Sequence, residues 1–296
     1  MPARSPATPI AEAHGLRPGQ SIELLKALHI LTRDGQMNQD SRRKLKQVYH
    51  LFQFIEPLLA ECLERGGELS LVDHGAGKSY LGFILYDLFF KARAPQGRIW
   101  GVETRPELVT AAQALAARLG FGGMAFLNLS AAQAAHTQNL PARVDVVTAL
   151  HACDTATDDA IAFGLARQAR YMVLVPCCQA ELATLLRARR GPLLARAPLA
   201  ELWRHPLHTR EFGSQLTNVL RGLQLEAHGY QVTVTELVGW EHSMKNELIL
   251  ARRQFGSPSA TAGRAAQRLA ELLDAVGLSD LRERYLAPVP VAAAPA

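Results

Sequence analysis

The sequence predicts an α/β fold: a doubly wound, seven-stranded sheet of five parallel strands followed by an antiparallel hairpin, with an N-terminal helical cap. Three observations predict it. From Leu69 onward, short runs rich in Val, Ile and Leu alternate with helical stretches, the mark of parallel strands covered on both faces. The first of these runs ends in a glycine-rich turn directly ahead of a helix. The last two, YQVTVTELV and NELILARR, are separated by a link too short for a helical crossover, so they pair antiparallel.

Composition excludes several classes. The 296 residues carry a formal net charge of +5, with 48% hydrophobic and 20% charged residues. That is the balance of an ordinary folded chain and not of a disordered one. Four cysteines, Cys62, Cys153, Cys177 and Cys178, are too few for a secreted disulfide scaffold and lack the paired spacing of structural zinc. No apolar run approaches the roughly 18 residues that would cross a bilayer, and the N-terminal residues lack the apolar core of a signal peptide. A cytoplasmic protein with no membrane partner and no metal is expected.

Taken in order, residues 1–20 are rich in Pro, Ala and Gly and read as a flexible lead-in. Residues 21–65 form the helical cap. SIELLKALHIL is its first helix, and the second begins at an N-cap of Asp40 or Ser41. That helix spaces Leu45, Val48, Phe52, Ile55 and Leu59 for one buried face. Arg42, Arg43, Lys44 and Lys46 crowd its first turns, where the helix dipole disfavours cations. Either a solvated face or contact with a polyanion accounts for them. Residues 66–253 form the sheet domain, with strands ELSLVD, GRIWGVE, GMAFLNL, VDVVTAL and YMVLVP. Helices start near Tyr80, Pro106, Ala131 and Thr157, and a further helix covers Ser214 to His228 ahead of the hairpin. Residues 254–286 read as a helical extension and 287–296 as a disordered tail.

The turn after the first strand reads Asp73-His74-Gly75-Ala76-Gly77-Lys78-Ser79. Glycines there let the backbone bend tightly and approach a ligand. The ending GKS suggests the phosphate-binding pattern G-x-x-x-x-G-K-S/T. That pattern requires glycine where Val72 stands, and Asp73 would repel a polyphosphate, so the reading fails. A dinucleotide would need a third glycine where Tyr80 stands. An acid before the glycines suits S-adenosylmethionine, whose ammonium and sulfonium are positive. Glu103, at the tip of the second strand, is placed to accept the ribose hydroxyls.

This strand plan resembles the Rossmann-like domain of class I S-adenosylmethionine-dependent methyltransferases. DHGAGKSYLGF, ALHACDTATDDAI, VPCC and KNELILARR resemble, more narrowly, the methyltransferase-like family that includes the glutathione S-transferase C-terminal-domain-containing protein. Related tRNA ribose methyltransferases share its Cys-Cys motif. Against the family pattern D-x-G-C/A-G-K-G-x-L, Ser79 replaces a glycine, a change expected to be harmless if the helix begins there. Asp154 follows Cys153 directly, where the family commonly has Cys-Gly-Asp. The resemblance implies S-adenosylmethionine as cofactor, held by Asp73, Gly75, Ala76, Gly77, Lys78, Glu103, Asn128, Leu150 and His151.

Catalytic candidates stand at the ends of the fourth and fifth strands. His151 could take a proton with Asp154 orienting it. Equally, His151 packs as a strand-end residue and Asp154 caps the next helix. Cys177 and Cys178 follow Pro176 and serve as nucleophile or as pocket lining. For the acceptor, Arg187, Arg189, Arg190, Arg196, Arg204, Arg210 and Arg221 lie close to Trp203. Arginine beside an aromatic ring suits phosphates and stacked bases, and RNA is the leading acceptor. A solvated arginine-rich surface is the competing reading. Lys245 and Asn246 in the hairpin link are further substrate candidates. A protein or small-molecule acceptor, or a catalytically silent module that binds RNA, remains an alternative.

Overall fold

The computed structural model describes residues 10–150, 154–176, 179–188, 201, 204–237, 247–255 and 260–288. The chain divides into two compact units, Met1–Asn128 and Leu129–Ala296.

The first unit opens with a helical turn, α1 (Ile10–Ala13), inside the stretch expected to be flexible. The attached chain therefore starts earlier than the sequence suggests. The His14 imidazole meets the Gly35 carbonyl at 2.8 Å, and the Arg17 guanidinium lies 4.5 Å over the Phe52 ring. Next comes α2 (Ile22–Ala27), N-capped by Ser21, whose hydroxyl accepts from the Leu24 N–H. It is shorter than predicted, because the chain turns left-handed at His29, with φ 55°. The long helix α3 (Gln39–Glu64) is capped by Asn38, not by Asp40 or Ser41. Asn38 is extended, so its carboxamide oxygen reaches the Ser41 N–H at 2.8 Å. Leu45, Val48, Phe52, Ile55 and Leu59 are all buried, as their spacing predicts.

The strands β1 (Ser70–His74), β2 (Arg98–Glu103) and β3 (Met124–Asn128) pair in parallel. Between the first two, α4 (Tyr80–Leu85) runs through a π turn at Tyr86–Phe90 into α5 (Lys91–Arg93). Buried Asp87 in that turn accepts from the Ser21 N–H at 2.7 Å, tying the cap to the sheet helix. Between the next two lies α6 (Pro106–Leu119). It starts with Pro at the first position and stops at left-handed Gly120.

The second unit contains α7 (Ala131–His136), β4 (Val146–Leu150), α8 (Thr155–Ala166), β5 (Tyr171–Val175) and α9 (Glu181–Ala188). Then follow α10 (Pro206–Ala227), the hairpin strands β6 (Tyr230–Glu236) and β7 (Glu247–Arg253), α11 (Ala260–Ala275) and α12 (Arg282–Leu286). The helix α10 starts earlier than the predicted Ser214, again with proline in its first turn. The C-terminal extension is part of the core: Leu269, Leu273 and Tyr285 pack with Leu182, Leu186, Leu216 and Leu220. The strand order is β3-β2-β1-β4-β5-β7-β6, with β7 antiparallel to both β5 and β6. This is the seven-stranded plan read from the sequence. Among the described residues, no helix is long and apolar enough to cross a membrane.

One buried cation organises the second unit. Arg221 has no exposed surface and grips Asp158 with two hydrogen bonds, at 2.8 and 2.9 Å. It also donates to the Asp154 carbonyl at 2.7 Å and to the Asn218 carboxamide at 3.1 Å. The sequence reading grouped Arg221 with arginines facing RNA; burial removes it from that set. Arg221→Ala leaves the Asp158 charge short of its main partner, and it is expected to lower unfolding free energy by about 3–5 kcal/mol. Urea denaturation measures this, and a loss below about 1 kcal/mol would contradict the role described.

Candidate functional site

The sharpest cluster of chemistry in the first unit lies at the carboxyl ends of β1 and β2. Asp73 and His74 close β1, and both are buried. The chain then turns through Gly75 at φ 67°, Gly77 at φ 57° and Ser79 at φ 53°. Two of these three left-handed positions are glycine, where the conformation is free of Cβ strain. Ser79 is not, and its replacement of a glycine is therefore not harmless. The helix starts one residue later, at Tyr80, leaving Ser79 as a left-handed N-cap with no side-chain capping bond. Such a conformation costs on the order of 1 kcal/mol. Gly82, one turn on, makes room for it: a Cβ there would stand 2.5 Å from the Ser79 hydroxyl.

Glu103 closes β2 and binds the turn to the strand tip. Its carboxylate accepts from the Gly77 N–H at 2.8 Å. The Ala76 N–H donates to the Val102 carbonyl at 3.0 Å, strengthening the same junction. On its other side Glu103 meets Arg105, whose guanidinium spans both oxygens at 2.9 and 3.0 Å. The Arg105 N–H adds a bond of 3.1 Å. Burial alone would raise the Glu103 pKa, but the donors of Arg105 and Gly77 outweigh it and hold the group down to about 2. The carboxylate is ionised at any physiological pH. Asn128, at the tip of β3, donates to the Glu103 and Thr104 carbonyls at 3.0 and 2.8 Å.

Of the residues nominated from sequence, Asp73, Gly75, Ala76, Gly77, Glu103 and Asn128 are brought to these three strand tips. Lys78 is exposed and lines a cleft of about 360 Å³ with His29, Tyr80, Leu108, Leu115 and Arg118. Leu150 ends β4 in the second unit. His151, Cys177, Cys178, Arg189, Arg190, Trp203, Lys245 and Asn246 lie outside the described residues. Arg187 is exposed, with its Nε donating to the Ala183 carbonyl of its own helix.

Asp154 departs from the reading that has it cap α8, while its pairing with His151 falls on a residue outside the described ones. Its side chain makes no capping bond to α8, which begins at Thr155. Instead the carboxylate accepts from the N–H groups of Ala180 and Glu181, at 3.1 and 3.2 Å, where α9 starts. It is a capping acid for a helix 26 residues further on. Two polar features, one in each unit, went unseen in the sequence. Arg105 stands two residues past the strand-tip acid, a spacing that could have flagged it. The chain of Ser214, Gln179 and Asn218 near the end of β5, with bonds of 2.6 and 3.2 Å, leaves no sequence signal because its members are far apart.

Residues 43–185, just under half of the chain, match a family described as a methyltransferase domain. No curated protein matches the sequence. Among solved structures, magnesium protoporphyrin IX methyltransferase from Synechocystis, with S-adenosylhomocysteine bound, is similar at 16% identity and a TM-score of 0.44. That match covers 78% of this chain and 95% of the other. An rRNA methylase from Streptococcus thermophilus is similar at 8% identity and a TM-score of 0.40, covering 64% and 88%. Fibrillarin from Methanococcus jannaschii gives 11% identity and a TM-score of 0.40, covering 64% and 68%. The match over residues 43–185 is to the class of enzyme that the glycine turn and strand plan predict.

The strand tip also sets a pH dependence. Burial drives the His74 pKa from 6.5 down to about 4, against an opposing pull from Glu103. Between those values the unfolded chain binds the extra proton. His74 therefore contributes stability fully above pH 6.5, lost as the pH falls through 4. The loss expected is about 3 kcal/mol. Glu103 extends the decline below pH 4.5 for the same reason, its pKa being depressed. Denaturation midpoints that stay level from neutral pH to pH 4 would refute the assignment of a neutral, buried imidazole.

Proposed function

We propose that this chain transfers a methyl group from S-adenosylmethionine to RNA. The observation that carries the cofactor is the ionised Glu103 carboxylate, buried at the tip of β2 and bonded to the N–H of Gly77 in the turn. A carboxylate there fits two ribose hydroxyls, which need acceptors and no counter-charge. Asp73, one strand over, suits the cationic amino-acid end of the donor. The bare backbone of Gly75 and Gly77 admits close approach. S-adenosylmethionine supplies, when bound, a methyl already activated by its sulfonium. What the protein adds is orientation and exclusion of water.

Arg105 has to yield for this to work. Its guanidinium stands on the carboxylate face that the ribose would use, but its side chain is 59% exposed, so an outward swing trades its bonds to Glu103 for water. The Asp154 carboxylate, held by two N–H groups, supports a positioning part rather than a proton-transfer part. The RNA acceptor rests on charge. Arg204 and Arg210 pair with Glu201 and Glu211, so the cations of the cap weigh more in that reading than these arginines do.

Calorimetry with S-adenosylhomocysteine tests the donor, and transfer of labelled methyl into total RNA tests the acceptor. Cofactor binding without transfer to RNA would leave the donor and sink the acceptor. Glu103→Ala is expected to weaken S-adenosylhomocysteine binding by about 1.5–3 kcal/mol, the range for a charged hydrogen bond. Arg105→Ala, which uncovers the carboxylate, is expected to tighten it. Weaker binding in the Arg105 variant would mean that the guanidinium holds the ligand and does not compete with it.

A further inference from the structure

The cap carries a cleft of about 450 Å³ whose walls include His14, Arg42, Lys46, Tyr49, His50 and Gln53. Among the described residues, no carboxylate lines it. Two acids of α3 are engaged elsewhere: Asp40 pairs with Arg43 at 3.5 Å, and Glu56 with Arg93 at 3.4 Å and Arg17 at 3.9 Å. Arg42, Lys46, Tyr49 and Gln53 follow one another at spacings of four, three and four along α3, a single stripe of the helix. Arg42 and Lys46 are both exposed. Like charges four apart cost a helix a few tenths of a kcal/mol, and cations at its N-terminal end oppose the dipole. Helix stability does not account for the stripe.

Rings sit beside the cations. Tyr49 is half-buried, with its hydroxyl donating to the Gln20 side chain, which anchors the ring at the cleft wall. His50 and Phe54, also half-buried, lie with ring centroids 5.2 Å apart. Cations that track phosphates, interleaved with flat rings that accept bases, are the chemistry of single-strand binding.

We propose that this cleft is a docking site for single-stranded RNA, with Arg42 and Lys46 on neighbouring phosphates and the Tyr49–His50 wall against a base. The inference rests on the RNA acceptor proposed above. It specifies the face of the first unit that holds the strand.

The test is fluorescence anisotropy of the full chain with a labelled single-stranded oligoribonucleotide across a series of KCl concentrations. Wild type is compared with Arg42→Gln/Lys46→Gln and with Gln53→Glu, which adds a carboxylate to the cleft and removes no cation. Both variants change exposed residues. Matching thermal melts and unchanged S-adenosylhomocysteine binding establish that they are folded. With two phosphate contacts gone, the slope of log K against log salt is expected to fall by about 1.4. Affinity should drop at least roughly tenfold in both variants. An unchanged slope overturns the cleft, even if the wild type methylates RNA, and then only the docking face is wrong. No RNA binding by the wild type overturns it too, as does binding of anionic lipid vesicles in place of RNA. Loss of RNA binding in the variants, where the wild type binds but transfers no methyl, upholds the cleft and sinks the acceptor reading alone.

Discussion

The site in the first unit depends on one buried charge. Removing a carboxylate from water is expensive unless donors replace the lost hydration. Glu103 receives them from three directions: the Gly77 N–H, the Arg105 N–H and the Arg105 guanidinium. The first of these bonds sets the shape of the glycine turn, because it requires the Gly77 N–H to point across to β2. The turn that makes this bond carries Gly75, Gly77 and Ser79 in the left-handed region. The strain at Ser79 is tolerated because the junction is held from both sides, by the Glu103 carboxylate and by the Val102 carbonyl.

The second unit repeats this logic with the opposite sign. Arg221 is a buried cation whose donors are taken up by Asp158, Asn218 and the Asp154 carbonyl. Asp158 also meets Arg284, which itself bonds both oxygens of Glu181. Asp154 caps the start of α9 through its side chain while its carbonyl is gripped by Arg221. Its backbone is left-handed, with φ 49°, a strained state that this pair of attachments holds in place. The start of α8 is thus braced by α10 and by the C-terminal helix α12, although neither is near it in sequence.

Legibility in the sequence followed interaction range. The buried stripe Leu45, Val48, Phe52, Ile55 and Leu59 was readable because helical periodicity is local. The strand at β5 was readable because YMVLV is apolar throughout and every residue of it is buried. The N-cap of α3 was misread by two or three residues, since Asn38, Asp40 and Ser41 all have capping side chains and only the backbone angle at Asn38 chooses among them. The helix that Asp154 caps was misread because its partners, Ala180 and Glu181, come from another element. Arg221 was misread because charge in a sequence carries no label for burial.

By itself, then, the sequence determined the order and type of the elements, the antiparallel ending, the glycine turn and the acid at the tip of β2. Each of these is written in contiguous residues, through alternation, apolar runs and turn chemistry. Tertiary structure decided what that acid touches, which arginine is buried and which helix Asp154 caps. Hydrogen-bond partners of buried charges are selected by desolvation, and desolvation exists only once distant segments have packed.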